Sequence, residues 1–228
     1  MCAKKRVAVY GGTFDPVHLG HLEVARRVSE LFEIEKVIFV PAYIAPHKLK
    51  RAVTAPIHRY AMLTLATQND GQAFVSTFEL EASDRRYTVD TLAYFQASFG
   101  DSTDLFFIMG ADSWSEITTW REWERLLAMT SHIVVTRPGY DVTNEHIASP
   151  LRDRIMELRT ADQESLSNVK NITGKRIFIT DVVMKDISAT EIRRIASEGR
   201  FADLQNLVPK PVLEYIEKYE IYRDSHEA

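Results

Sequence analysis

The sequence predicts an α/β fold built on a doubly wound parallel sheet. Two observations support this prediction. Short apolar runs alternate along the chain with longer segments of helical periodicity, as in folds made of successive βα units. The first apolar run, Val7–Tyr10, ends in Gly11-Gly12, which is typical of a buried parallel strand entering a tight turn. With 228 residues, 45% of them hydrophobic, the chain suits a single hydrophobic core.

The remaining elements follow in order. Leu22, Ala25, Val28 and Phe32 recur at helical spacing and predict a helix over residues 18–32. A further helix is expected to open at Thr54-Ala55-Pro56, with Thr54 as its cap, because proline suits a first turn. The other predicted elements are strands over residues 36–40, 74–80, 105–109, 133–136 and 177–183, and a helix over residues 88–99.

The domain organisation is predicted to be one compact unit. Residues 1–186 are expected to form a Rossmann-like nucleotide-binding part, and residues 187–228 a small helical C-terminal part packed on it. The polar stretch 160–175 is interpreted as a loop or surface insertion, and an exposed helix is the alternative.

Charge and cysteine content narrow the function classes. The formal net charge of −4 does not favour nonspecific binding to nucleic acid. The single cysteine, Cys2, excludes a disulfide framework and a zinc site built on cysteines, and a reducing cytoplasm is the expected location. No stretch approaches the roughly 20 apolar residues that span a bilayer, so no membrane partner is expected.

Residues 11–21, GGTFDPVHLGH, carry the first candidate site. A strand ends, two glycines allow close backbone approach, and a helix begins near His18, so unpaired N–H groups and a partial positive charge face any phosphate bound there. His18 and His21 are three residues apart and share a helix face. The alternatives are a surface or capping role for His18 and a metal site, although the segment offers no obvious third ligand.

A second candidate site follows the last predicted strand. In residues 187–193, ISATEIR, Ser188 and Thr190 offer hydroxyl donors and Arg193 a cation at a helix start. Ser188 and Glu191 also fit the S-x-x-E capping box, which is a structural alternative compatible with phosphate binding.

These two segments resemble motifs of one superfamily. GGTFDPVHLGH is similar to the T/H-x-G-H signature of the nucleotidyltransferases, in which the two histidines bind ATP phosphates and stabilise the charge on the α-phosphate. ISATEIR resembles the I-S-S-T-x-I-R motif of the same superfamily, which grips the β- and γ-phosphates; Ala189 replaces the more common serine.

The middle of the chain resembles one family within it, the nicotinate-nucleotide adenylyltransferases. Several segments resemble family patterns. Residues 41–48 resemble P-x-x-x-P-H-K, residues 87–91 resemble Y-T-x-D-T, and residues 110–113 with Trp120 resemble G-A-D followed by Trp. Residues 137–139 resemble R-P-G, and residues 207–222 resemble the tail L-V-P…V…Y-I…L-Y. The resemblance covers most of the chain and thins between residues 141 and 175. It implies a Rossmann-like nucleotidyltransferase that joins the AMP part of ATP to nicotinate mononucleotide in NAD synthesis.

The resemblance also implies a set of site residues. The catalytic residues would be His18, His21, Lys48 and Arg193. ATP would bind at Gly11, Gly12, Thr13, Phe14, His18, His21, Asp112, Ile187, Ser188, Thr190 and Arg193. Nicotinate mononucleotide would bind at Asp15, His47, Lys48, Thr88, Trp120 and Arg137. Mg²⁺ would be held through the ATP phosphates, and a homodimer is left open.

Several of these residues have a plain structural alternative. Trp120 would stack on the pyridine ring, or it is a core tryptophan. Thr88 begins a predicted helix whose N–H groups suit the nicotinate carboxylate, or it is simply the N-cap. Asp112 would bind the adenosine side, or it is a turn residue. His47 and Lys48 would hold phosphates, or they are solvated loop charges.

Four alternatives compete with this interpretation. The acceptor could be nicotinamide mononucleotide or phosphopantetheine, which the two phosphate motifs do not exclude but the middle segments disfavour. A cytidylyltransferase is disfavoured because those domains tend to be shorter and carry a different C-terminal motif. A non-catalytic nucleotide sensor would be expected to lose a histidine or Arg193, and a purely structural protein leaves both motifs unexplained.

Overall fold

A computed structural model describes residues 4–43, 53–81, 86–136, 142–181 and 187–223. Its centre is a seven-stranded sheet in which every pairing is parallel. The strands, in chain order, are β1 (Lys5–Gly12), β2 (Lys36–Pro41), β3 (Ala73–Val75), β4 (Thr103–Gly110), β5 (Ser131–Val135), β6 (Ile155–Glu157) and β7 (Ile177–Thr180). Across the sheet they lie in the order β3-β2-β1-β4-β5-β7-β6.

Helices cover both faces of the sheet. They are α1 (Leu19–Phe32), α2 (Pro56–Thr67), α3 (Thr88–Phe99), α4 (Ala111–Ser115), α5 (Trp123–Met129), α6 (Gln163–Asn168), α7 (Ala189–Ser197) and α8 (Lys210–Lys218). The apolar residues of α1, α2, α7 and α8 form one core layer, and those of α3, α4 and α5 form the other. Side chains alternate between the two layers along β1, with Ala8 and Tyr10 in the first and Val7 and Val9 in the second.

The strand order places a crevice at the centre of the sheet. The chain winds outward from β1 to β2 and β3, then returns to β4 on the other side of β1. In open α/β sheets such a reversal leaves a space beyond the carboxyl ends of the two strands, and ligands bind there. Gly11-Gly12 ends β1 and Gly110 ends β4, so the segment with the two histidines and the turn with Asp112 leave the sheet at this crevice.

The predicted fold class is confirmed, together with the helices at residues 18–32 and 88–99. The strand predicted over residues 74–80 is wrong beyond Val75. Residues 77–81 form a helical turn instead, in which the N–H groups of Leu80 and Glu81 both donate to the Thr77 carbonyl at 2.8 and 2.9 Å. The last predicted strand ends at Thr180, and its remaining residues 182–183 lie outside the described ranges.

The capping prediction for α2 is also wrong. Ala55 is the N-cap, and no side-chain hydrogen bond caps this helix. Thr54 serves a different purpose, because its N–H donates to the Asp15 carboxylate at 3.3 Å.

The stretch 160–175 is not a plain loop. It contains α6 and a 3-10 turn over Val169–Asn171, and Val169 is buried against α1 and its neighbours. The short edge strand β6 before it was not predicted, because three partly exposed residues carry no clear alternation. Within the described residues, no helix is long and apolar enough to cross a membrane.

Candidate active site

A cavity of about 730 Å³ occupies the crevice at the carboxyl ends of β1 and β4. We call it the central cavity. Fourteen predicted site residues line it: Gly11, Gly12, Thr13, Phe14, Asp15, His18, His21, Thr88, Asp112, Trp120, Ile187, Ser188, Thr190 and Arg193. The predicted residues His47, Lys48 and Arg137 lie outside the described residues.

The two histidines stand together at the start of α1. His18 is the N-cap and His21 is the third residue of the helix, so both rings point to one side, and their centroids are 3.7 Å apart. The backbone N–H of His18 donates to Nδ1 of His21 at 3.3 Å. Because Nδ1 accepts this bond, the proton of the neutral ring lies on Nε2. His21 is therefore a hydrogen-bond donor at a site that also receives the positive end of the α1 dipole.

The segment from the end of β1 to the start of α1, residues 11–18, contains a strained residue. We call this segment the phosphate loop. Phe14 has φ of 49°, a region that non-glycine residues rarely adopt, and its ring is buried against Tyr10, Phe39 and His21. A Cβ at Gly12 would lie 2.9 Å from the Phe14 ring, so the ring can fold back only over glycine. The aromatic packing thus fixes both the loop and the His21 ring.

The second motif meets the first at Gly20. A Cβ at this position would lie 3.0 Å from Nδ1 of His18 and 3.6 Å from Cβ of Ile187. Glycine therefore makes room for the His18 ring, and Ile187, which precedes α7, lies within ordinary contact distance of the start of α1. The N-termini of α1 and α7 consequently open onto the same cavity.

Arg193 links the two motifs directly. Its guanidinium donates to the backbone carbonyl of Asp15 and to Oγ1 of Thr190, the latter at 3.0 Å. The predicted capping box is wrong: Ser188 is the N-cap of α7 but makes no side-chain cap bond. Glu191 pairs instead with Arg194 on the outer face of the helix, at 2.6 Å.

Asp15 and the buried Arg59 fix the phosphate loop through hydrogen bonds to other segments of the chain. The Asp15 carboxylate accepts bonds from the Thr54 N–H at 3.3 Å and from the Tyr222 hydroxyl at 2.8 Å. Arg59 is fully buried and donates to the carbonyls of Thr13 and Thr54 at 2.8 and 2.9 Å. Burial lowers the pKa of Arg59, and the charge of Asp15 opposes that shift.

Sequence reasoning missed Arg59 and Glu79. Arg59 lies among the apolar residues of a predicted helix. A single arginine in such a pattern is expected to be exposed to solvent. Glu79 lies in a segment predicted as a strand, and its carboxylate accepts a bond from Oγ1 of Thr91 at 2.7 Å. Burial raises the pKa of Glu79 to about 7, although the Thr91 bond and the charges of Arg86 and Arg59 act in the opposite direction.

Thr88, Trp120 and Glu79 define the other end of the central cavity. Thr88 is the first residue of α3, with Tyr87 as the N-cap. The N–H groups of Asp90 and Thr91 donate to the Tyr87 carbonyl, whereas those of Thr88 and the residue after it have no acceptor within the helix. Trp120 is partly buried, and its ring meets Phe107 edge-on at 6.5 Å between centroids. It belongs to the core layer and lines the cavity, so the two interpretations of this tryptophan are compatible.

Asp112 lies just beyond the end of β4, in the first turn of α4. Its Oδ1 accepts a bond from the Ser113 N–H at 2.9 Å, which orients the carboxylate at the cavity wall. A Cβ at Gly110 would lie 2.6 Å from this oxygen, so a larger residue at position 110 would displace the Asp112 carboxylate. Its contact with the adenosine side stays a prediction.

Comparison with known proteins places this geometry in a family. The Cytidylyltransferase-like family matches residues 9–195. A protein named "Probable nicotinate-nucleotide adenylyltransferase" from Thermoanaerobacter sp. (strain X514) is 39% identical over 97% of this chain and 96% of its own length. A protein of the same name from Corynebacterium jeikeium (strain K411) is 35% identical over 94% and 99%.

The chain belongs to the nicotinate-nucleotide adenylyltransferase family. Solved structures agree with this family at the level of the fold. Plasmodium falciparum nicotinic acid mononucleotide adenylyltransferase complexed with NaAD has a TM-score of 0.70 and 21% identity, over 96% of this chain and 97% of that one. The same enzyme complexed with APC has a TM-score of 0.68.

Proposed function

We propose that the protein transfers the AMP moiety of ATP to nicotinate mononucleotide, giving nicotinate adenine dinucleotide and pyrophosphate in NAD biosynthesis. Membership of the nicotinate-nucleotide adenylyltransferase family supports this activity. The observation that carries it is the meeting of the two motifs in one cavity, which His18, His21, Arg193 and the start of α7 all line. A sensor that had lost catalysis would not be expected to keep all three side chains.

The proposed reaction is a direct in-line displacement. A phosphate oxygen of the mononucleotide attacks the α-phosphorus of ATP, the bond to the β-phosphate oxygen breaks, and pyrophosphate leaves. This needs no covalent intermediate, so the task of the protein is positioning and charge stabilisation. His21 would donate through Nε2 to the phosphate on which charge develops, with His18 beside it.

The leaving pyrophosphate would be held at the second motif. The start of α7 presents N–H groups and a positive dipole end, and Arg193 adds a full charge that Thr190 and the Asp15 carbonyl keep in place. We extend the proposed catalytic group to Lys48, which the resemblance implies and which lies outside the described residues.

Mg²⁺ is proposed as a cofactor bound through phosphate oxygens of ATP. The donor groups around the two motifs are imidazoles, a guanidinium and backbone N–H groups, and both oxygens of the nearby Asp15 carboxylate are engaged with protein donors. These residues suit an ion that keeps most of its waters and is held by its nucleotide. When bound, the ion would neutralise charge on the leaving group.

The nicotinate ring is proposed to bind at the Trp120 end. A flat, electron-poor ring suits the face of an indole, and the leading N–H groups of α3 at Thr88 suit a carboxylate. His47, Lys48 and Arg137 are proposed contacts for the mononucleotide phosphate. We also propose that the enzyme works in the cytoplasm without nucleic acid or membrane partners, and a homodimer remains an alternative to a monomer.

Pyrophosphate release in the presence of ATP and Mg²⁺ tests the proposal. Nicotinate mononucleotide is expected to be used far better than nicotinamide mononucleotide, because an amide would turn an N–H donor toward the N–H groups of α3. Equal use of both mononucleotides would support the transfer reaction but refute a site that selects the nicotinate carboxylate. No release with either, from folded protein that binds ATP, would refute the proposed reaction.

A further inference from the structure

The part of the chain end that follows α8 within the described residues, 219–223, is directed to the phosphate loop by a defined helix stop. Glu220 has φ of 50°, and the N–H groups of Glu220 and Ile221 donate back to the carbonyls of Glu217 and Ile216 at 3.3 and 3.0 Å. This is a Schellman motif, which reverses the chain after the last helical turn. Ile221 then packs into the same core layer as Ile216. The next residue, Tyr222, is therefore placed by the core.

Tyr222 reaches the phosphate loop through its hydroxyl group. The hydroxyl donates to Oδ1 of Asp15 at 2.8 Å, a bond between residues 207 positions apart in the sequence. Burial, together with the neighbouring Asp15 charge, raises the pKa of Tyr222 well above its ordinary value. The phenol therefore stays protonated at physiological pH and acts as the donor in this bond.

Asp15 is the point at which four segments of the chain meet. Its carboxylate binds the chain end through Tyr222 and the start of α2 through the Thr54 N–H. Its backbone carbonyl accepts the bond from Arg193 of α7. The position of the Arg193 guanidinium in the cavity thus depends on the position of Asp15, to which Tyr222 is hydrogen-bonded.

We propose that Tyr222 is a positioning residue for the transfer reaction, holding Asp15 where its carbonyl fixes the Arg193 guanidinium beside the two histidines. The inference rests on the proposed function. It gives Asp15 a role as a support of the phosphate loop, where the family resemblance implied a contact with the mononucleotide.

The Tyr222→Phe variant tests this role, because it removes only the hydroxyl group. Loss of a bond to a charged acceptor frees the loop, and a misplacement of the charge-stabilising groups acts on turnover more than on binding. We expect kcat to fall by about tenfold, with KM for ATP unchanged within about twofold. Tyr219→Phe is the matched control: it removes an exposed hydroxyl three residues earlier, and kcat should keep its wild-type value.

Coupling to Arg193 separates positioning from a general loss of stability. If Tyr222 acts through Arg193, then Tyr222→Phe should change kcat little in an Arg193→Ala background, because the group it positions is gone. If Tyr222→Phe lowers kcat by the same factor in the wild-type and Arg193→Ala backgrounds, the proposal is overturned. A wild-type kcat in folded Tyr222→Phe would overturn it as well.

Amide hydrogen exchange gives a readout that does not depend on activity. We expect faster exchange at Thr13, Phe14 and Asp15 in Tyr222→Phe, by several fold, and unchanged exchange in Tyr219→Phe. Unchanged exchange in Tyr222→Phe would refute the support of the loop even if the proposed reaction is correct. If exchange is faster in Tyr222→Phe but the wild-type protein has no transferase activity, Tyr222 still supports the loop and only the proposed function is refuted.

Discussion

The two ends of the central cavity are built in different ways. At the histidine end, the phosphate loop rests on buried aromatic rings and is tied to α2, α7 and the chain end by hydrogen bonds. At the tryptophan end, the walls are the start of α3 and the turn before α5, and a half-buried carboxyl group with a raised pKa, Glu79, lies among them. The first end holds fixed donors, as the phosphate chemistry that we propose for it requires, and the second contains a carboxyl group whose pKa burial raises to about 7.

This contrast suits the chemistry that we propose for each end. Charge stabilisation in a transition state requires donors that need not move when charge develops. Recognition of a flat ring requires a stacking face and a few polar contacts, and these can be provided by a less rigid cavity wall. Substitutions at the histidine end should therefore change kcat, and those at the tryptophan end should change KM.

The largest effect is expected for His21→Ala. The change removes a fixed N–H donor next to the proposed α-phosphate site, and kcat should fall roughly 100-fold or more, the cost of losing one preorganised donor. Steady-state kinetics with saturating ATP measure it. Arg26→Ala, on the exposed face of the same helix, is the control and should keep the wild-type kcat. A normal kcat in folded His21→Ala would remove the catalytic role that we assign to this end.

Trp120→Ala should produce a smaller effect, and it should change KM and not kcat. Loss of one stacking face costs about 1–3 kcal/mol, so KM for nicotinate mononucleotide should rise by about tenfold or more while KM for ATP stays constant. Trp120→Phe keeps an aromatic face and should recover part of the loss. The stacking assignment is wrong if KM for ATP is the constant that rises.

The sequence predicts the two ends unequally well, for a physical reason. The histidine end is made of two contiguous motifs, and strand ends in a parallel sheet bring such motifs to one edge, so His18 and Arg193 could be predicted to face one ligand. The supports of that end, Arg59 and Tyr222, act through bonds between distant segments, which periodicity does not reveal. The Tyr222 position was visible only as part of a family-like tail.

The tryptophan end was predicted less completely because its walls come from several short segments. Thr88 was correctly placed at the start of a helix, but the turn at residues 77–81 was predicted as a strand, since Phe78 and Leu80 alternate with polar residues. That error concealed Glu79, whose significance comes from burial beside Thr91 and not from its neighbours in the sequence.

The smallest effect is a pH dependence of stability that should belong to the tryptophan end. The pKa of Glu79 is about 7 in the folded protein, against an ordinary value of 4.5, so the folded state holds a proton that the unfolded state releases between these values. Stability from this group is therefore full below pH 4.5 and is lost as pH rises toward 7 and beyond. Glu79→Gln, which mimics the neutral form, should remove that loss.

Thermal unfolding of wild type and Glu79→Gln at pH 5, 6, 7 and 8 measures this difference. The variant should gain stability relative to wild type as pH rises, by on the order of 1 kcal/mol at pH 8, since partial exposure and the nearby Arg86 charge reduce the full effect. Glu81→Gln, an exposed neighbour, should follow the wild-type curve. Parallel curves for wild type and Glu79→Gln would mean that Glu79 is ionised in the folded protein. Neither end of the cavity would then change its protonation state over this pH range, and the two ends would differ only in their packing.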